Sequence, residues 1–461
     1  MRNVLGLGLA FMAGLAAASH AGVPEDELAQ AVKDNEHAAI QRLLAAKADP
    51  NLPLPDKSSV LAWAVDRQDA QSVQMLLAAG AKPNVAGVDG ATPLIIACQM
   101  DDPGIVKALL AAGADARAAR PDGIGALSLC AATSTPEVLG KMIAKGAAVN
   151  AADPSGQTPL MWAAARGRTD NVDFLLKQGA NVNAVSKKGF TPLFFALQSR
   201  SPDAPLHLLD AGADTRAVLP DSTSVIGAAL LKDNAPFAME VVSRGADLKE
   251  RDKGGRQAIH LAAASGNAEL VKLILSKGGN PNAASVPPAP APATPAPPPA
   301  GESAKPKIAI ADGAGGPPPA AAVATPPLIF AARAGSLEAM QALVKAGAKP
   351  NARASDGTTL ALAAAYGGNL AAMKYALELD PNINAIADGG KSIMHMAVSN
   401  KNAPEAEAVI QYLADKGAVL DRQDDRKNTP GDILNRGQSP ESLRVFYIDL
   451  LRQHGIVGTA H

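Results

Sequence analysis

An apolar residue recurs at one constant interval along more than half of this chain. The eight positions that share this phase, each 33 after the last, are Leu28, Leu61, Leu94, Leu127, Leu160, Leu193, Ile226 and Ile259. Such regular spacing indicates one supersecondary unit copied in tandem. A unit this small cannot bury its own apolar face, so neighbouring units must stack. The sequence therefore predicts a repeat solenoid, whose core grows along one axis.

Composition and charge agree with closely spaced small helices. Hydrophobic residues make up 47% of the chain but aromatic residues only 3%, so most apolar side chains belong to Ala, Leu and Val. The formal net charge is −1, which gives no general attraction to nucleic acid or an anionic membrane. After the N-terminal stretch, no apolar run approaches the roughly 20 residues of a transmembrane helix. We therefore expect neither nucleic acid binding nor a transmembrane segment.

The N-terminal stretch, 1–21, has the pattern of a secretory signal peptide. Arg2 precedes an almost unbroken apolar run from Val4 to Ala18, and the sequence 19–21 gives the small-x-small pattern of a cleavage site. We expect cleavage after Ala21 and a mature chain over 22–461. The plain leader and the high Ala and Gly content indicate a bacterial exported protein. The periplasm is the first expectation, and secretion is the alternative.

Each unit carries the signals of two short helices, as the stretch 158–183 illustrates. Thr158 is a good N-cap residue, and Pro159 stands at the first helical position, where its missing N–H costs nothing. A helix over 160–165 is followed by a second over about 170–177, and Gly179 suits a left-handed cap. Each unit is therefore predicted to be a helix-turn-helix followed by an extended loop.

The same signals resemble the ankyrin repeat. The pattern G-x-T-P-L-x-x-A-A-x-x-G…V-x-x-L-L-x-x-G-A-x-x-N is met nearly in full over 156–183. Further stretches match it in part: 90–113, 189–212, 255–278, 328–351 and 360–384. The resemblance implies an all-α ankyrin-repeat solenoid of about 12 helix-turn-helix units with hairpin-like loops. The first eight units would span 22–283 and the remaining four 328–461, with the first and last units as caps. It also implies binding of other proteins on the concave face.

A segment rich in Pro and Ala, at 284–327, interrupts the repeats and is predicted to be disordered. The interval from Ile259 to Leu328 is one period plus an insertion slightly longer than a second period. One interpretation makes the segment a spacer between two rigid arms. We favour the other, in which the two blocks stack as one solenoid and the segment is a long loop, because neither flanking unit has the polar face of a cap.

The titratable residues do not suggest an active site. His260 and His395 directly follow the phase positions Ile259 and Met394. They match the histidine of the family's T-P-L-H motif, which hydrogen-bonds across neighbouring loops, and a catalytic role lacks a nucleophile beside them. We expect no catalytic residue, no cofactor and no metal ion.

The aspartates near the loop glycines have the spacing of turn residues. They are Asp89, Asp122, Asp221 and Asp356. Asp side chains commonly accept hydrogen bonds from the backbone of such turns, whereas a calcium loop would need several oxygen ligands close together.

The two cysteines, Cys98 and Cys130, lie in adjacent repeats, and their spacing is one residue shorter than the repeat period. Stacked positions in neighbouring repeats are expected to be too far apart for a disulfide, which requires Cα atoms about 4.4–6.8 Å apart. We therefore predict two buried free thiols.

The positions that vary with the partner in the ankyrin family are loop tips and the ends of inner helices. Carried onto this chain, they predict a binding surface made of Asp66, Arg67, Asp89, Gln99, Met100, Arg166, Lys187, Lys188, Phe190, Gln198, Lys232, Arg251, Lys253, Arg256, Arg333 and Tyr366. The positions from 166 to 256 are mostly basic. We expect a non-enzymatic scaffold that binds another protein, and the alternative is a binder of an anionic envelope polymer with the Pro/Ala segment as a tether. The sequence indicates neither the identity of the partner nor an oligomeric state.

Overall fold

The computed structural model describes residues 24–52, 54, 58–87, 89–286, 324–436 and 439–456. The predicted signal peptide and most of the Pro/Ala segment lie outside these ranges. The chain divides into two compact units at the boundary between Asn181 and Val182, and each is described by itself. In both, short helices follow one another in antiparallel pairs, so the predicted all-α repeat architecture is confirmed.

Unit 1 contains five helix pairs in its described part. They are α1 (Pro24–Lys33), α2 (His37–Ala45), α3 (Val60–Asp66), α4 (Ala70–Ala78), α5 (Pro93–Met100), α6 (Pro103–Ala111), α7 (Ala126–Thr133), α8 (Pro136–Ala144), α9 (Pro159–Ala165) and α10 (Thr169–Lys177). The odd-numbered inner helices pack on one another, and so do the even-numbered outer helices.

Unit 2 contains seven pairs in its described part. They are α11 (Pro192–Gln198), α12 (Ala204–Asp210), α13 (Val225–Leu231), α14 (Ala235–Ser243), α15 (Ala258–Ala264), α16 (Ala268–Ser276), α17 (Pro327–Arg333), α18 (Leu337–Lys345), α19 (Leu360–Gly367), α20 (Leu370–Leu379), α21 (Ile393–Ser399), α22 (Ala406–Asp415), α23 (Pro430–Asn435) and α24 (Glu441–Gln453). A two-stranded ladder of β1 (Ile386–Ala387) and β2 (Lys391–Ser392) closes one loop. Within the described ranges, no helix is long and apolar enough to span a bilayer.

The helices begin where the sequence predicts them. In α9, Thr158 Oγ1 accepts a hydrogen bond from the Met161 N–H, and Pro159 is the first helical residue. The eight phase positions are all at most 4% exposed and form the core. Small residues three and four positions after the phase residue, such as Ala163 and Ala164, are also buried and let the inner helices approach closely.

An asparagine in each of several return loops ties its repeat to the next, and we call this contact the asparagine bridge. The Asn84 Nδ2 donates to the Gly113 carbonyl at 3.0 Å, and its Oδ1 accepts from the Asp115 N–H at 2.8 Å. Asn51, Asn150 and Asn183 make the same two contacts with the equivalent groups of the next return loop. One carboxamide thus satisfies a donor and an acceptor that the end of the outer helix leaves open.

The hairpin loops also stack in a defined way. Gly90 has a φ of +73°, and a Cβ added there would clash with Pro121 Cγ of the next loop. Glycine is therefore needed both for the left-handed backbone and for the close approach. The four predicted turn aspartates accept hydrogen bonds from the N–H two positions further on, so this expectation is confirmed.

The repeats on the two sides of the Pro/Ala segment pack directly on each other. Helix α15 contacts α17, and α16 contacts α18. Asn282 makes an asparagine bridge to Gly347 and Lys349 with the insertion lying between. The described ends of the segment meet, since the Thr325 N–H donates to Ser285 Oγ at 2.9 Å. The segment thus leaves and re-enters the fold at one place.

The two cysteines form a disulfide, so the prediction of free thiols is wrong. The Cα atoms of Cys98 in α5 and Cys130 in α7 are 4.5 Å apart, within the range that a disulfide allows. The expectation failed because the offset of one position brings the two side chains together between closely packed inner helices. Their neighbours Ala97 and Ala131 are fully buried and small enough to allow this approach.

The last pair, α23 and α24, departs from the repeat pattern. Gly431 stands where the other repeats have a large apolar residue, and a Cβ there would lie 4.0 Å from Tyr447 Cε1. The Tyr447 ring, 1% exposed, takes the space of the missing side chain, and its hydroxyl donates to the Leu420 carbonyl at 2.6 Å. Burial raises the pKa of Tyr447, so it stays a neutral donor.

Candidate functional site

Most inner helices keep one face accessible, made of the residues two, five and six positions after the phase residue. In α7 and α19 the first two of these positions are buried. In α5 these are Ile96, Gln99 and Met100, which are half-buried or exposed, while Leu94 and Ala97 are buried. The spacing i, i+3, i+4 is that of one helix face. We call it the inner-helix face. The predicted residues that lie on it are Asp66, Arg67, Gln99, Met100, Arg166, Gln198, Lys232, Arg333 and Tyr366.

The residue two positions after the phase residue was not among the predicted site residues. From α3 to α9 this row is Trp63, Ile96, Leu129 and Trp162, and from α11 to α21 it is Phe195, Ala228, Leu261, Phe330, Leu362 and Met396. All are half-buried except Leu129 and Leu362, which are buried. A signal was present in the sequence, because the only two tryptophans of the chain are separated by three full periods. Large aromatic side chains that are only partly covered are typical anchors for a partner.

In unit 2 the aromatic row joins a loop tip with exposed lysines. The Phe190 ring lies 6.3 Å from that of Phe194 and 5.8 Å from that of Phe195, centroid to centroid. Lys187 and Lys188, which precede it in the loop, are exposed. Leu231, on the inner-helix face of α13, is 79% exposed. Apolar and cationic groups therefore alternate along this part of unit 2.

Exposed lysines also occur in a later hairpin loop and at the end of α13. Lys253 is exposed and, after the hydrogen bonds from Thr223, helps to lower the pKa of Asp221 in the preceding loop. Lys232 is exposed at the end of α13.

Three of the predicted arginines are engaged within the chain. An Arg251 Nη1 donates to the carbonyls of Gly255 and Ala284, both at 2.8 Å. Arg256 pairs with Asp252 at 2.7 Å, and Arg333 with Asp356 at 3.5 Å. The Asp89 carboxylate accepts from the Ala91 N–H in its own turn. Arg251 and Asp89 therefore support loops. Among the predicted cations of unit 2, the exposed lysines are those left to meet a partner.

The structural role predicted for the two motif histidines is confirmed. His260 is fully buried, its Nδ1 accepts from the Gln257 N–H at 3.0 Å, and its Nε2 lies 3.0 Å from the Ala283 carbonyl. His395 makes the same contacts with the Ser392 N–H and the Asn428 carbonyl. The Nε2–H tautomer fits these contacts. Burial lowers the pKa of His260 to about 4, so the ring is neutral.

Over the ranges that the structure describes, no three His, Cys, Asp or Glu side chains are grouped so that they could hold a metal ion. The features that stand out are the inner-helix face and the loop tips. An extended surface of this kind suits recognition of another macromolecule.

The repeats match family models over most of the chain. A model described as ankyrin repeats (3 copies) matches residues 28–120, 127–218 and 328–424, and a model of the single ankyrin repeat matches residues 254–286. The chain belongs to the ankyrin repeat family. Ankyrin repeats generally mediate protein–protein interaction, and the fold is typically a non-catalytic scaffold.

No curated protein matches the chain. Among solved structures, the chain is similar to the human ASB11 ankyrin repeat domain, with 26% sequence identity. The match covers 44% of this chain and 96% of that one, with a TM-score of 0.39. The family assignment depends on the family models.

Proposed function

We propose that this protein is a non-catalytic scaffold that binds a partner protein through the inner-helix face and the adjoining loop tips. The observation that carries the proposal is the row of half-buried Trp and Phe residues at one repeat phase in a chain with 3% aromatic residues. Exposed apolar groups beside it, such as Leu231, favour an interaction site. Within each unit, stacked repeats present their part of this surface in a fixed arrangement, which lowers the entropy lost on binding.

The charges favour a partner surface that is acidic. In unit 2, Lys187, Lys188, Lys232 and Lys253 are exposed next to the aromatic groups. Lysines at the edge of an apolar patch accelerate association with an acidic surface and disfavour a basic one. The partner would bring carboxylates to the loop tips and apolar side chains to Phe195 and Leu231.

The test is crosslinked affinity capture from the producing cell with the mature protein as bait, beside two charge-reversed variants. Lys188→Glu/Lys232→Glu changes the proposed surface. Lys177→Glu/Lys345→Glu makes the same change in charge on the outer helices α10 and α18, where both lysines are exposed. We expect one protein to be captured by the wild type and the outer-helix variant and lost with the first variant. Equal capture by all three would refute this surface.

A second function is favoured by the four exposed lysines, which would also bind an anionic polymer. Such binding depends on counterion release and weakens steeply with salt. If retention by envelope polymer falls with salt, shows no fixed stoichiometry and needs the lysines but neither Trp63 nor Trp162, the polymer is the ligand.

We also propose that the protein acts outside the bacterial cytoplasm, in the periplasm or as a secreted protein. The leader pattern over 1–21 supports export, and the Cys98–Cys130 disulfide supports an oxidising compartment. Alkylation of thiols in rapidly quenched cells, followed by mass spectrometry, tests this. The protein should begin at Gly22 and carry no alkylated cysteine. A retained leader with both thiols alkylated would contradict the proposal.

A further inference from the structure

The asparagine bridges show which chemical group fits between two return loops. In five places an Asn carboxamide donates to a glycine carbonyl at 2.8–3.2 Å and accepts from an N–H two positions further on at 2.7–2.9 Å. The receiving pair of groups is backbone, so it exists wherever the loop geometry repeats. The bridging asparagines therefore show that this carbonyl and N–H together bind a carboxamide group.

Three repeats before the Pro/Ala segment carry a cation in place of the bridging asparagine. Two of these cations are Arg117 and Arg216, and each pairs with an aspartate of its own return loop, Asp115 and Asp214. The third is Lys249, one period before Asn282, and its side chain is exposed. An ammonium group cannot accept a hydrogen bond, so Lys249 cannot replace the bridge.

The groups that an asparagine at position 249 would bridge are the Gly278 carbonyl and the Asn280 N–H. Within the described part of the chain, neither has a hydrogen-bond partner. A donor and an acceptor equivalent to those of the five asparagine bridges are therefore left open between the return loops of α14 and α16.

A cleft of about 670 Å³ lies at the same place. Its lining includes Gly278 and Asn280, with the open backbone groups, and the cations Lys249 and Lys277, both exposed. Asp247 also lines it, but its carboxylate already accepts from the Lys249 N–H at 2.8 Å. The cleft thus combines a carboxamide-binding pair of backbone groups with two lysines that lack a carboxylate partner in the described ranges.

We propose that this cleft binds an Asn or Gln side chain of a partner protein that has a carboxylate close by. The partner's carboxamide oxygen would accept from the Asn280 N–H, its NH₂ group would donate to the Gly278 carbonyl, and the carboxylate would face Lys249 and Lys277. This is a second contact site, away from the inner-helix face, and it rests on the scaffold function proposed above. It would add specificity, because a partner without the carboxamide would leave two polar groups unpaired.

The experiment uses N-acetylasparagine as the probe, since it carries one carboxamide and one carboxylate. The full chain, labelled with ¹⁵N-asparagine, is titrated with the probe, and the Asn280 amide signal is assigned by its loss in Asn280→Asp. We expect this signal to shift and to saturate in the millimolar range, as befits so small a ligand. N-acetylalanine, which keeps the single carboxylate but lacks the side-chain carboxamide, should give no saturable shift.

Two variants at one position complete the test. Lys249→Asn supplies the missing bridge from within the chain, so the probe should no longer shift Asn280. Lys249→Ala leaves the cleft open and should retain a shift, weakened by the lost cation. No saturable shift in the wild type, an equal response to N-acetylalanine, or an unchanged response in Lys249→Asn would each overturn the proposal.

The open pair of backbone groups can also be tested without any ligand. If the new side chain in Lys249→Asn bridges the Gly278 carbonyl and the Asn280 N–H, the thermal midpoint of this variant should rise by about 2–4 °C. Lys249→Ala, which cannot bridge, should not show this gain. A midpoint for Lys249→Asn at or below that of Lys249→Ala would show that the open pair does not accept a carboxamide. Neither variant changes the inner-helix face, so the result is independent of the capture experiment.

Discussion

Single buried residues in this protein act through their hydrogen bonds as much as through their size. His260 fills a core position beside the Phe330 ring, with centroids 5.6 Å apart, and joins its own helix cap to the Ala283 carbonyl. Both ring nitrogens are used in the neutral form. Protonation of Nδ1 would place a donor against the Gln257 N–H and a charge in the core.

The stability of the protein should therefore fall between pH 6.5 and 4. The pKa of His260 is about 4 in the fold, against about 6.5 for an exposed histidine. The unfolded chain binds the proton first, so stability is full above pH 6.5 and is lost as the pH falls toward 4. The shift corresponds to roughly 3 kcal/mol at most. Denaturant unfolding at several pH values should show a smaller loss in His260→Gln, which does not titrate. An equal loss of unfolding free energy with falling pH in the wild type and in His260→Gln would contradict this role of His260.

The asparagine bridge gives a second prediction at this scale. Asn84→Ala removes the acceptor of the Asp115 N–H and the donor to the Gly113 carbonyl. Both groups are on the surface and can turn to water, so we expect a loss of about 1–2 kcal/mol. Thermal unfolding beside Asn402→Ala, an exposed asparagine outside any bridge, measures it. Equal midpoints for the two variants would show that the bridge does not contribute.

Contacts between helices mostly join adjacent repeats, but Arg168 contacts both of the repeats that precede its own. Arg168 Nη2 donates to Asp101 at 2.8 Å and Nε to the Ala132 carbonyl at 3.3 Å, so it touches the two preceding repeats. The same part of unit 1 holds the Cys98–Cys130 disulfide between α5 and α7. The third to fifth repeats are thereby crosslinked by polar and covalent contacts in addition to their apolar core.

Removing the disulfide should destabilise unit 1 more than any exposed substitution does. The two cysteines have a sequence separation of 32, and the chain-entropy model gives about 3–4 kcal/mol for a loop of that length. Cys98→Ala/Cys130→Ala should melt lower than the oxidised wild type, and dithiothreitol should lower the melting of the wild type alone. A reductant effect of equal size on the double variant would contradict the assignment.

For the whole molecule, periodicity and capping signals were enough to predict the helix pairs and their caps, and the resemblance to the ankyrin repeat implied the structural role of the two histidines. These properties depend on local patterns such as Thr158-Pro159, which recur in several repeats. The disulfide was not predictable, because the distance between two inner helices depends on how closely small residues such as Ala97 pack. The row with Trp63 and Trp162 was missed because sequence alone does not distinguish a partly covered aromatic residue from a core residue.

The Pro/Ala segment should be dispensable for folding. Its described ends are bonded to each other through Ser285 and Thr325, and α15 packs on α17 without it. Replacing 287–323 by Gly-Ser-Gly-Ser should change the thermal midpoint by only a few degrees, since loop length enters the closure entropy logarithmically. A midpoint lowered by more than about 10 °C would mean that the segment stabilises the repeats.

The stacking of hairpin loops limits how this protein can change by duplication. Gly90, Gly123 and Gly189 each lie against a proline of the following loop, namely Pro121, Pro154 and Pro220. The glycine of one repeat is thus required by a proline of the next repeat. Neither repeat by itself contains both residues of this contact. An inserted or deleted repeat would place a new neighbour at such a contact, where a side chain in place of the glycine would clash with the proline. The inherited building block is therefore the junction between two repeats, and recombination should cut within repeats rather than between them.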